Sequence, residues 1–316
     1  MTVRIKNVWK KIKKPFFALA PMANVTDFAF REMFAKYGKP DLLWTEFVSA
    51  DGLLSKGREK LLIDFKYSKK QKPIIAQIFS ANPKNIGEAC VLIEKLGFDG
   101  IDINMGCPDK AVQRQGSGAK LITNPDLAIQ IIKEAKKATG LPISIKTRIG
   151  YYKIDLNWIK LLLMQDLPAL TVHLRTKKEM SLVPAHWDIM PQIIEMRDKI
   201  APNTLIIGNG DVNSLSQAKE LVSKYGCDGI MIGRGAFGQP WFFAENKKSP
   251  ELKERLKILL EHAKIFDKTF SGIKNFDIMK KHFKAYINGF DGAKELRNKL
   301  METKSLKEMK EILSER

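Results

Sequence analysis

The feature that most restricts the fold of this 316-residue chain is an alternation. Short runs rich in apolar and β-branched residues start at Phe16 (FFALAPM), Leu42 (LLWTEFVS), Ile74 (IIAQIFS), Gly100 (GIDINMG), Pro142 (PISIKTR), Ala169 (ALTVHLR), Thr204 (TLIIGNG) and Gly229 (GIMIGRG). None alternates strictly between apolar and polar, so each reads as a strand buried on both faces, as in a parallel sheet. Helical segments lie between them. TDFAFREMFAKYG offers Thr26 or Asp27 as N-cap and Gly38 as stop. NPKNIGEACVLIEKLG and NPDLAIQIIKEAKKATG open on Asn-Pro and close on Gly, and NSLSQAKELVSKYG repeats the capping logic. Eight such units in a row predict an α/β chain folded as a (β/α)8 TIM barrel. A doubly wound sheet would call for a Gly-rich turn where this chain has APMANVTD. After Phe243 the strand signals stop and amphipathic helical segments run to Arg316. Two domains are expected: residues 1–245, the catalytic barrel, and residues 246–316, a smaller all-helical C-terminal domain.

Charge and cysteine content narrow the functional classes. Lys and Arg number 54 against 35 Asp and Glu, a net charge of +19 that suits a polyanion partner as well as simple solubility. Arg4, Lys6, Lys10 and Lys11 concentrate part of it near the N-terminus. Basic residues ahead of FFALAPMA can mimic a secretory signal, but cleavage there would remove the first strand, so the segment reads as structure. No apolar run approaches the roughly 18 residues of a membrane span. Cys90, Cys107 and Cys227 contain no C-x-x-C pair, so neither a zinc site nor a disulfide scaffold is expected, and a cytoplasmic location is. No bound metal and no obligate protein partner are expected, and the chain is read as a monomer.

In a barrel, polar residues at the C-terminal ends of strands are the active-site candidates. Here they are Pro21, Met22 and Ala23; Glu46; Gln77; Asn104 with Cys107; Lys146 with Arg148; His173 with Arg175; Asn209, Gly210 and Asp211; and Gly233 with Arg234. The last two strands, IIGNGD and MIGRGAFGQPW, bring glycines, a helical start and Arg234 to one place, which favours a bound phosphate. With no adjacent nucleophile or metal cluster, that phosphate suggests a held cofactor. Gln77 and Lys146 suit a ring with carbonyls and N–H groups, as in a flavin, although Lys146 could equally pair with Asp102 or Glu46. GSGAK is not a P-loop, because the G-K-[ST] order is missing. Cys90 and Cys227 fall in or beside helices and read as packing residues, whereas Cys107 lies in a polar, glycine-rich loop where a thiol can act as nucleophile or proton donor.

APMANVTD, NMGCPDKAV with GSGAKL, VHLRT, GNGDV, GRGAFGQPW and the helical C-terminal segment together resemble the tRNA-dihydrouridine synthases over nearly the whole chain. The resemblance implies an FMN-containing barrel that reduces the C5=C6 bond of particular uridines in tRNA, with NADPH as reductant of the flavin. It implies hydride transfer from flavin N5 to C6, and Cys107 as the general acid that protonates C5. Pro21, Met22, Ala23, Gln77, Lys146, His173, Asn209, Gly210, Asp211, Gly233 and Arg234 match cofactor contacts, and Asn104 a contact near the uracil. For tRNA the candidates are Lys110, Arg114, Arg175, Lys281, His282 and Arg297, with residues 246–316 implied as a tRNA-binding domain whose deletion from residue 250 would leave a flavin-bound barrel. Two departures stand out. Asn24 replaces a glycine, which suits a backbone outside the left-handed region. Glu179, Ser181, Val183 and Ala185-His186-Trp187 replace Gln, Tyr, Gly and Ala-Asp-Trp in a loop near the substrate. The rival readings are an FMN barrel oxidoreductase acting on a free pyrimidine or another small unsaturated substrate, and an RNA-binding protein that has lost catalysis.

Overall fold

The computed structural model describes residues 7–245 and 249–314. Arg4 and Lys6, and residue 246 at the expected domain junction, lie outside them. Eight strands form one parallel sheet: β1 (Phe16–Leu19), β2 (Leu43–Ser49), β3 (Ile74–Phe79), β4 (Gly100–Met105), β5 (Ile143–Arg148), β6 (Ala169–His173), β7 (Leu205–Asn209) and β8 (Gly229–Ile232). Their order is β1-β8-β7-β6-β5-β4-β3-β2, and a bridge between Ala18 and Leu42 closes the ring. All eight expected strands are present, each in one of the expected runs.

The barrel interior changes character along the strands. At their N-terminal ends Phe16, Ala18, Trp44, Ile75, Ala169 and Ile207 form one apolar cluster, covered by Val8 and Trp9. Trp9 lies against Trp44 and Phe16, with ring centroids 6.0 and 6.4 Å away. Two residues further along each strand the side chain points the same way again. There Gln77 pairs in register with Asp102, and Asp102 with Ser144. The inner face is therefore apolar below and polar above, and the polar end is where the loops carry function. The outward faces, with Ile78, Ile103, Ile145, Val172 and Ile206, pack on the surrounding helices.

The capping signals act as expected. Asp27 caps Phe28–Tyr37, while Asn82 and Asn124 cap Pro83–Lys95 and Pro125–Ala138, each with Pro in the first turn. Ser214 caps Leu215–Tyr225, and Gly226 ends it in the left-handed region at φ 73°. The unit after β8 differs: a single 3-10 turn, Arg234–Ala236, stands where a barrel helix was expected. So short a turn sums few aligned peptide dipoles, and the helix-terminus contribution to anion binding expected there is absent.

The C-terminal helices, led by Leu252–Phe270, share a hydrophobic cluster with the first barrel helix and the segment after β8: Ala29, Met33 and Trp241 pack among Ile258, Phe266, Phe270, Met279 and Phe283. Lys274 reaches from this layer to Asp64 (2.6 Å) and Glu46 (3.4 Å). Glu46, an expected strand-end site residue, is thus a docking contact; burial pushes its carboxyl up to about 7 against the pull of Lys274. His282 is also corrected. It is fully buried against Phe30, Phe237 and His262, and neither ring nitrogen has a hydrogen-bond partner, so it cannot touch RNA.

Within this packing His262 makes a contribution to acid sensitivity whose sign is fixed. Burial lowers His262 from 6.5 to about 3, so the fold favours its neutral form. That contribution is complete above pH 6.5 and is lost as the pH falls below it, by about 2 kcal/mol at pH 5. Glu46 and Asp102, both raised, act in the opposite sense, so the difference between variants is the informative quantity. His262→Leu is expected to lose about 2 kcal/mol less stability than the unaltered chain between pH 7 and pH 5 in urea unfolding. Equal losses would remove His262 as the cause.

Candidate active site and adjoining basic cleft

At the polar end of the barrel a cavity of about 470 Å³ is lined by residues 20–22, 209–213 and 233–235 with Lys146, His173, Arg175 and Met231. It brings together Pro21, Met22, Lys146, His173, Asn209, Gly210, Asp211, Gly233 and Arg234 from the expected cofactor set. Two others lie elsewhere. Ala23 is exposed on the loop outside the lining. Gln77 is fully buried below the cavity, with its amide spent on Asp102 (2.6 Å) and Asn104 (3.0 Å).

The loops after β7 and β8 interlock through glycine. A Cβ on Gly235 would strike the Val212 carbonyl, and Gly210, at φ 137°, would bring one to 2.7 Å from the Ala185 methyl. The electrostatics are cationic. Lys146 donates to Asn209 Oδ1 at 3.3 Å and makes no ion pair with Asp102 or Glu46. Burial, then the Arg148 charge, pulls it down to about 8, partly opposed by Asp102. Burial, followed by Lys146, Arg148, Arg175 and Arg234, holds His173 well below its usual range and so neutral. Arg175, expected on the RNA surface, is instead buried: its guanidinium binds Asp211 and the Val183 carbonyl and lies 3.3 Å from His173 Nε2. Burial works to raise the Asp211 carboxyl, but hydrogen bonds from Arg175 and the Ala185 N–H override it and hold the group below its usual range. Asp211 therefore organises Arg175, and Arg234 at 3.4 Å, rather than facing an anion itself.

Cys107 sits beside this cavity on the loop after β4. Its backbone N–H donates to Asn104 Oδ1 (2.9 Å) and its carbonyl accepts from Ala119 N (3.0 Å). Gly118, at φ 60°, passes so close that a Cβ there would be 2.8 Å from that carbonyl. Asn104 thus spends its side chain on Gln77 and on the turn holding Cys107. Burial pushes the thiol up, with the Asp109 backbone N–H, Lys146 and Arg148 pulling the other way. It is a half-buried, protonated thiol at neutral pH.

The divergent loop is held by buried arginines. Arg148 donates to the carbonyls of Gly106, Thr176 and Met180, and Arg175 to that of Val183. Glu179 pairs with His186 at 2.9 Å, so the two departures compensate each other. Asn24 lies at φ 54°, in the left-handed region, contrary to expectation; asparagine is among the few side chains that adopt it readily.

Of the remaining expected RNA contacts, Lys110 and Arg114 are exposed on the turn that follows Cys107, and half-buried Arg297 donates to the Ile287 carbonyl at 2.8 Å. Lys281 is exposed and lines a second cavity, about 450 Å³, between barrel and helical layer, with Arg234, Arg255 and Lys284 and, among the described residues, no acidic one. Arg255 and Lys284 were not singled out from the sequence. The spacing of Lys281 and Lys284, three apart on a helix whose other face carries His282, Phe283 and Tyr286, was the available signal.

A dihydrouridine synthase family model matches residues 18–316. A probable tRNA-dihydrouridine synthase of Staphylococcus aureus (strain MRSA252) is 42% identical over 314 residues, 98% of this chain and 95% of that protein. Probable tRNA-dihydrouridine synthase 2 of Bacillus subtilis (strain 168) is 40% identical over 314 residues, 98% of this chain and 96% of that protein. Among solved structures, an old yellow enzyme homologue from Zymomonas mobilis superposes with a TM-score of 0.53 at 13% identity, covering 77% of this chain and 94% of its own. Morphinone reductase in complex with tetrahydroNAD gives 0.50 at 12%, covering 74% and 88%. At that identity the two structures share the barrel fold.

Proposed function

The chain belongs to the dihydrouridine synthase family, and from that premise we propose that it reduces the C5=C6 bond of uridines within tRNA, using FMN and NADPH. The observation that carries the reading is a protonated, backbone-clamped thiol at the rim of a cation-lined cavity. The cavity suits FMN by size and by donor set: about 470 Å³ falls within the usual range of cofactor sites, and Arg175, Arg234 and the close-packed glycine loops offer donors to a phosphate. When bound, a flavin supplies hydride to an electron-poor double bond.

The chain's own residues do the rest. Lys146 keeps a positive charge against the cavity that offsets negative charge developing there. Cys107 holds a proton at Sγ and delivers it to carbon, while Asn104 fixes the turn that aims it. Neutral His173 adds no charge of its own to the cationic set. A uridine inside tRNA reaches the mouth only if flipped from its stack, so the protein must grip the surrounding backbone. Arg255, Lys281 and Lys284, with Lys110 and Arg114 beside Cys107, suit phosphate contacts made by the chain as a monomer in the cytoplasm.

The test is direct. Protein reduced anaerobically with NADPH is expected to regain its oxidised-flavin absorbance rapidly on adding tRNA that lacks dihydrouridine, and not on adding free uridine. Equal reoxidation by free uridine would favour the small-substrate reading, and a chain unable to bind flavin would favour the RNA-binding one.

A further inference from the structure

Two tyrosines, Tyr151 and Tyr152, lie side by side on the loop after β5. Tyr152 is 70% exposed, so its ring is open to a stacking partner from solvent. Its ring stands edge-to-face with Tyr151, centroids 4.6 Å apart. Tyr151 is tied to the Cys107 loop: its hydroxyl donates to Gln113 Oε1 (2.7 Å), and Gln113 Nε2 donates to the carbonyl of Pro108, next to Cys107. Lys120 and Lys177 place their ammonium groups 5.6 and 5.2 Å from the Tyr151 ring centre. The pair is also anchored to the loop after β6, where the N–H groups of Lys177 and Lys178 donate to the carbonyls of Gly150 and Tyr151. Gly150 has φ 156°, and a Cβ there would strike the Lys153 carbonyl, so the turn that presents both tyrosines depends on glycine.

We propose that Tyr152 is a stacking platform for an unpaired base of the RNA next to the uridine entering the mouth, with Lys120 and Lys177 neutralising the adjoining phosphate. The inference rests on the RNA reading above and adds to it the site that receives the neighbouring base. Flipping one nucleotide leaves its neighbours without a stacking partner, and an aromatic ring replaces that partner whatever the base. The two lysines fit the same occupant, since a nucleotide brings a π-face and an anion together.

The test uses the full-length, flavin-loaded protein with tRNA as substrate. Tyr152→Ala is expected to raise KM for tRNA roughly tenfold or more, from the loss of one base–aromatic stack. The rate of flavin reduction by NADPH, and kcat at saturating tRNA, are expected to stay unchanged. Tyr152→Trp is expected to restore the KM, because it keeps a stacking face without the hydroxyl. An unchanged KM in the alanine variant, or a tryptophan variant as weak as alanine, overturns the platform while leaving the enzyme assignment intact. A wild-type chain that fails to reduce tRNA overturns both.

Discussion

Cys107→Ala is expected to lower turnover on tRNA by about 10²–10⁴-fold while flavin stays bound and reducible by NADPH. The separation follows from where the residue sits. The thiol lies outside the cavity lining, so its loss takes nothing from the residues around the cofactor. Its backbone is held by Asn104 and Ala119 through main-chain atoms that alanine retains. What disappears is the proton, which burial keeps on Sγ at neutral pH. Cys107→Ser is expected to recover little, because a hydroxyl is a far weaker acid than a thiol. Rapid-mixing measurement of both half-reactions decides the matter: wild-type reoxidation by tRNA in the alanine variant would remove Cys107 from the chemistry.

Ending the chain before residue 250 is expected to abolish soluble flavoprotein rather than leave a working barrel. On sequence grounds the helical part reads as a separable RNA module. The packing makes it part of the barrel's own support. Its loss would expose Met33 and Trp241, both now buried, and uncover Phe30 where His262 and His282 lie against it. At about 1.5–3 kcal/mol for each large apolar side chain returned to water, the loss is comparable with the whole stability of an ordinary domain. Glu46 would also lose Lys274, and Lys36 and Tyr37 would lose Glu261, which they hold at 2.6 Å. Soluble yield and flavin absorbance of the truncated chain measure this; a stable yellow barrel would show that the shared cluster contributes little.

What could be read from the sequence was local. Eight buried-strand runs and the Asn-Pro and Ser caps specify elements through neighbours a few residues apart, and those elements formed where expected. The convergence of Asn209, Gly210, Asp211, Gly233 and Arg234 follows from barrel geometry once the strands are placed. Two misplacements share one cause: the deciding partner is distant in sequence. Arg175 looks like a surface cation until Asp211, 36 residues on, takes its guanidinium. Gln77 looks like a ring contact until Asp102 and Asn104 take its amide. Asn24 was itself a local signal, because asparagine adopts the left-handed region more readily than most side chains. His282 was avoidable, because it shares a helical face with Phe283 and Tyr286, and that face is buried.

The layered interior has a kinetic consequence. Since Trp9, Trp44 and Phe16 close the lower barrel, the active-site well is blind. Anything that reacts at its floor must enter and leave through the rim that Cys107 shares. A nicotinamide and a flipped uridine would need the same space above the cavity of about 470 Å³. On the proposed reaction they would have to take turns at the same opening. Under the proposed reaction the reductant would then compete with the RNA it serves, and an excess of one would be expected to delay the other.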